Sequence, residues 1–433
     1  MVYYGTASSA QNNLSNATRS FEQQTIFQKN SCRPITKLAN QLKDNLQLQC
    51  YACLYHLLNP SNQSAPFLKY FLNQAREAYF EKNTEFQLMF HGLSAWAKHD
   101  IDESILIFSA AAQIYPHQPL YSFIANHLAT LSGQTSHLNR VYTMNKKLHK
   151  VSSFQPYNNL LQAQTLIENQ SYLKAEIMLK KNHHNNPTCN PTLLKLSISL
   201  YLQQKFQQCM KALECHSLVW RESNLDLQLQ RLLMFVNLNS IQQHTHQAYA
   251  HYQQALKIAQ PKITHDVCLI TLLWRMQLSG IDIECPMQEL VQSFGNRPFE
   301  FYNPLSSAHY AYAYATVNKT YEAYEIIDIH HYTLQQMHGK TAQQWQLYFK
   351  PFIRGIVSFA NLNYKRALNE LQPFKNNEIW LNSQCIQSEI IHATWIYCLF
   401  HQQPTQTAHQ NLKQYLPHFC NTPLQQLWEK QVE

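Results

Sequence analysis

The chain has 433 residues, 45% of them apolar, and a formal net charge of +8 spread along its length, enough apolar side chain for a continuous core. Only 7 glycines are present, which excludes doubly wound sheets, barrels and phosphate-binding loops, since these need glycine wherever φ is positive or a backbone approaches closely. Charged residues are 14% of the total, below the roughly 25% of typical soluble domains; Gln, Asn, Ser and His therefore carry the solvated faces, and the absence of a basic run argues against nucleic acid, which is not expected as a partner.

Residues 1–31, which open MVYYGTASSAQNNLSNATRSFEQQ, are rich in Ser, Asn and Gln and lack apolar periodicity. They read as a disordered polar arm, not a secretory signal. Residues 32–433 read as one unit, a succession of segments with apolar residues at i, i+3, i+4 and i+7, the mark of amphipathic helices. No apolar stretch is long enough for a membrane span.

Early in this region CYACLYH places Cys50, Cys53 and His56 at i, i+3 and i+6 on a helix. They are either ligands for zinc or a buried stripe of small thiols. Next comes HGLSAWAKHDIDESILIFSAAAQIYP, His91–Pro116, with two histidines and two aspartates. It fits the tetratricopeptide template, a 34-residue helix-turn-helix with small residues where its two helices cross. Gly92 takes the eighth position, Ser104 the twentieth, Phe108 the twenty-fourth, Ala111 the twenty-seventh and Pro116 the thirty-second, and Asp100 and Asp102 become turn and N-cap residues.

The template recurs at Ala163, Ala175, Leu179 and Pro187; at Ser197, Cys209 and Leu213; at Val236, Ala248, Tyr252 and Ala255; at Ala311, Ala323 and Ile327; and at Gly355, Ala367 and Leu371, with a degenerate unit at Ala125 and Val141. The fold class is all-α, a right-handed superhelical solenoid of about seven or eight tetratricopeptide-like hairpins with turns of uneven length.

The 11 cysteines are scattered, odd in number and mostly inside apolar runs, so they read as reduced core thiols of a cytoplasmic protein. The 22 histidines would raise the charge steeply below about pH 6.5. Those at His183 and His184, at His244, His246 and His251, and at His330 and His331 read as solvated, because neighbours on a helix point about 100° apart. No nucleophile elbow, P-loop, dinucleotide fingerprint or assignable Ser/His/Asp set occurs.

In such repeats the second, fifth, ninth and twelfth positions of each first helix line the concave face. They include Met89, Leu93, Trp96, Gln164, Tyr201, Tyr312, Phe352 and Ile356, an apolar and aromatic set. An open groove of this kind would take a hydrophobic helix or extended peptide; a superhelix that closes tightly, or whose groove is filled by a terminal helix, would make the same residues core.

Over roughly residues 75–433 the chain resembles the tetratricopeptide repeat protein 38 family. The likeness lies in the order of segments: the unit ending at Pro116, YLKAEIMLKKNHHNNPT, CMKALECHSLVWRES with Trp220 and Ser223 matching, and LLWRMQLSGIDIECPMQEL with Leu273, Arg275 and Gly280 matching. The resemblance implies a helical-repeat fold with no established reaction. It departs at Leu194, Ile198, Leu229 and Leu233, aliphatic residues where that family carries paired histidines, so chemistry that depends on those imidazoles is not expected. The expected function is that of a non-enzymatic scaffold without metal or cofactor, binding a protein or peptide in its concave groove. The rival readings are a small-molecule or metal-dependent enzyme or binder with a pocket inside a closed superhelix, and an exported bacterial effector that acts by protein binding.

Overall fold

The computed structural model describes residues 5–27, 35–59, 64–80, 84–132, 135–148, 155–187, 189–215, 220–221, 223–300, 304–335, 339–373 and 386–431. Every regular element among them is a helix. After α1 (Gly5–Phe27) and α2 (Ile35–Gln41) the helices follow in packed pairs: α3 (Leu46–Leu58) with α4 (Ser64–Glu77), α5 (Thr84–Ala97) with α6 (Ile101–Ile114), α7 (Pro119–Ser132) with α8 (Thr135–Leu148), and α9 (Gln155–Glu168) with α10 (Tyr172–Asn185). The middle pairs are α11 (Asn190–Leu202) with α12 (Phe206–Glu214), α13 (Leu225–Ile241) with α14 (Thr245–Ile258), and α15 (Ile263–Leu278) with α16 (Glu284–Gln292). A short α17 (Arg297–Glu300) precedes α18 (Pro304–Thr316) with α19 (Thr320–Gln335), α20 (Lys340–Ala360) with α21 (Tyr364–Leu371), and α22 (Ile386–Gln402) with α23 (Thr405–Tyr415); α24 (Pro423–Lys430) closes the chain.

First helices of successive pairs pack on each other, α3 on α5, α7 on α9, α11 on α13, α13 on α15, α15 on α18 and α18 on α20. This is a helical-hairpin solenoid. It has ten pairs among the described residues, more than the seven or eight expected. The α15/α16 pair escapes the template because Leu273, which stands seven residues before the left-handed Gly280 as Gly92 stands before His99, is a large residue.

In seven of the ten pairs the two helices are joined by one recurrent turn. At His99, Gln170, Gln204, Gln243, Gly280, Asn318 and Leu362 the second residue after the first helix has φ between 57° and 77°. Around His99 the next N–H, of Asp100, bonds Ala95 O at 3.0 Å while His99 N bonds Trp96 O at 2.8 Å. The same two bonds recur at the other six turns. Each satisfies carbonyls that the helix end would leave orphaned, and Asp100 then caps α6 by accepting from Glu103 N at 3.1 Å.

The small residues sit where the helices of a pair cross. A Cβ added to Gly92 would lie 2.7 Å from the Phe108 ring, and one added to Gly355 would lie 2.7 Å from Leu371 Cγ. The eighth position must be small because the twenty-fourth is large. The twentieth bonds across the same gap: Ser104 Oγ donates to Gly92 O at 2.9 Å, and Cys209 Sγ to Ser197 O at 3.1 Å.

Residues 5–27 depart from the expected arm. They form α1, with Thr18, Phe21 and Ile26 buried; residues 1–4 and 28–31 lie outside the described residues. The solenoid also returns on itself: the start of α20 packs against α6, where Gly339, at φ 95°, faces Asp100 and Asp102.

Candidate functional site

The inner face is filled. Met89, Leu93, Tyr201, Tyr312, Phe352 and Ile356 have no exposed surface, and Trp96 retains 6%. Gln164 is half-buried and donates to Thr130 Oγ1 at 3.3 Å. The Trp96 ring lies 5.7 Å from that of His127, and Tyr312 stacks on Trp274 at 4.0 Å. The groove expected at these eight positions is therefore corrected to core over seven of them: neighbouring first helices and the terminal segments cover the row.

In the middle of the solenoid the covering segment is the C-terminal one. α22 packs against α15, the turn Pro417–Phe419 against α11, and α24 against α13. Trp428 Nε1 donates to Leu278 O at 2.7 Å, and Gln204 Nε2 to Pro417 O at 2.6 Å. A buried polar knot locks this closure. Glu389 of α22 accepts from Arg275 Nη2 at 2.7 Å and from the Tyr201 hydroxyl at 3.0 Å on Oε1, and lies 2.8 Å from His418 Nε2 on Oε2. The Arg275 guanidinium also lies 5.6 Å from the Phe419 ring centre. Burial alone would raise the Glu389 pKa, but the Arg275 charge and His418 hold it down at about 2.

Arg275 and Glu389 were not among the predicted site residues. Their signal is visible in retrospect: each is the lone charge in an apolar helical run, LITLLWRMQL and EIIHATWIYCLF, and a buried charge needs a partner. With Arg275 fully buried and Glu389 only 8% exposed, the knot holds the fold and offers no surface to a ligand.

The N-terminal end of the same face is covered differently. There α1 lies on α3 and α7. The Phe21 ring sits 5.2 Å from that of Tyr51, which meets Phe86 edge-on at 6.0 Å. The Tyr51 hydroxyl and Gln118 Nε2, the latter at 3.1 Å, both donate to Glu22 Oε1. Beside them the Tyr121 hydroxyl donates to Glu85 Oε1 at 3.1 Å. The inner face here holds a helix, with the Phe21 ring and the Glu22 carboxylate among its contacts.

Three constellations with a catalytic or metal-binding look resolve into structure. His137 stands between Asp102 Oδ1, 3.3 Å from its Nε2, and Ser132 Oγ, 2.9 Å from its Nδ1. Yet Ser132 is 2% exposed and donates its proton to Ala129 O at 2.8 Å, so no substrate reaches its oxygen. Cys50 and Cys53 are buried, whereas His56 turns away to stack on Phe67 and Phe71 at 5.5 and 5.7 Å. Among the described residues no group of three His, Cys, Asp or Glu side chains is placed to hold a metal. Of the histidines read as solvated, His184, His244 and His246 are exposed, but His330 is buried, with Nδ1 2.6 Å from Ser307 Oγ. Its neighbour His331, a helical step away, is half-buried.

No protein-family model matches the chain, and no curated protein matches its sequence. Among the described residues no helix is long and apolar enough to cross a membrane.

Proposed function

We propose that the protein is a non-enzymatic, tetratricopeptide-type scaffold, a divergent relative of the tetratricopeptide repeat protein 38 family with the right-handed superhelix of that repeat class. In this reading it holds a protein ligand on its inner face, at the N-terminal hairpins. One observation carries it: the face built by α3, α5 and α7 already holds a helix, α1, through side chains suited to that task. The middle of the inner face is sealed by the C-terminal helices and is excluded as the ligand surface.

The family reading is supported by the small residues at the helix crossings and by Arg275 and Gly280, two of the matched residues, which take up definite roles in the knot and the turn. A cytoplasmic location accords with the described cysteines, which are all free thiols.

The test is a photo-crosslinking amino acid placed at the exposed His117, beside Gln118, which leaves Tyr51 and Gln118 intact, and at Leu173, which is 61% exposed on the outer helix α10. Irradiation in cells should yield an adduct to one protein from position 117, mapping to a helical segment of it, and none to that protein from position 173. Adducts of equal yield from both positions, or none from 117, would refute the inner face as the ligand surface.

A further inference from the structure

The reading of the inner face as a ligand surface leaves α1 with a definite part. We infer that α1 is a built-in competitor, and that the ligand which displaces it is a helix presenting an aromatic residue followed directly by a carboxylate, as Phe21 and Glu22 do. The recognition chemistry is set by the acceptor side. Tyr51 offers its ring to the aromatic residue and its hydroxyl, with Gln118 Nε2, to the carboxylate. A second acidic residue toward α5 is disfavoured, because Glu85 is already there: burial raises its pKa, Tyr121 opposes that, and the Glu22 charge adds to it.

Displacement follows from what α1 is made of. Its sequence, GTASSAQNNLSNATRSFEQQTIF, is dominated by Ser, Thr, Asn and Gln, and several of these are poor helix formers. Only Thr18, Phe21 and Ile26 of its described side chains are buried, with Leu14 packed against the core. A helix of this composition is marginal away from its groove, so docking and folding of α1 are one event. Such terminal elements open at the low-energy end of a protein's local unfolding. While docked, α1 competes at the high effective concentration of a tethered ligand, on the order of millimolar. An external helix then binds with an apparent affinity reduced by the fraction of molecules in which α1 is away.

The test uses the full chain, a Phe21→Ala/Glu22→Gln variant of it, and a fluorescein-labelled peptide of residues 5–27 as the probe. In the variant, backbone hydrogen exchange across 5–27 should rise to the level of a free peptide while the rest of the chain keeps its protection. The peptide should then bind the variant at least tenfold more tightly than the wild type, and a peptide carrying the same two substitutions should bind neither. Adding Tyr51→Phe to the variant should weaken binding of the unsubstituted peptide several-fold. Equal binding to wild type and variant would overturn the competition and leave the inner face as a ligand surface. Exchange that does not rise across 5–27 would show that Phe21 and Glu22 do not hold α1, and would overturn the assignment. Failure to bind a folded variant with α1 released would overturn both readings.

Discussion

Leu362 shows how a protein with 7 glycines makes its turns. It occupies the left-handed turn between α20 and α21 at φ 58°, with its side chain 64% exposed, a conformation that costs an L-residue about 1–2 kcal/mol. Glycine at the equivalent Gly280 avoids the strain; the other turns use His, Gln and Asn. Leu362→Gly should therefore stabilise the protein by about 0.5–1 kcal/mol, once the greater freedom of glycine in the unfolded chain is set against the relieved strain, and so raise the urea unfolding midpoint. A fall in stability would mean that the exposed leucine packs in a way its position does not suggest. Gly92 is the converse case. There the requirement is space, and the Phe108 ring supplies the reason.

Among the helices, α22 carries the largest single consequence. Its Glu389 is the counter-ion of a fully buried arginine and an acceptor for Tyr201. Removing one partner of a buried pair leaves the other uncompensated, at about 3–5 kcal/mol. Glu389→Ala should lower stability by that order, read as the shift in chemical denaturation. Glu389→Gln, which keeps an acceptor for Tyr201, should cost less. If Glu389→Ala unfolds at the wild-type midpoint, the C-terminal closure does not depend on the knot. α1 is the opposite extreme, an element with few buried anchors and no ion pair among its described contacts.

For the molecule as a whole, buried imidazoles decide the response to acid. Burial lowers the pKa of His127, His309, His330 and His392 to about 4, against about 6.5 in an unfolded chain. A lowered histidine pKa means the folded state binds fewer protons, so the stabilisation is complete above about pH 6.5 and is lost as pH falls toward 4. Glu389 and Glu176, both held at about 2, add a second loss as pH falls from about 4.3 toward 2. The unfolding midpoint should therefore already be lower at pH 5 than at pH 7.5, before most carboxylates protonate, and an unchanged midpoint would contradict the burial of these rings. The charge of the folded protein also climbs less steeply in acid than 22 histidines would suggest.

The sequence by itself determined the all-helical class, the hairpin repeat and the residues at its crossings, because these follow from local periodicity and from one short-range packing rule between positions a few residues apart. Gly92, Ser104 and Phe108 do in the structure what their spacing implies. The inner row was legible as a row but not as core. Whether Tyr201 meets a ligand or Glu389 depends on a helix far along the chain folding back over it, and periodicity carries no information about so distant a contact. The same holds for α1, whose polar sequence resembles a free arm but which is a helix received by Tyr51 and Gln118, residues brought together from distant parts of the chain.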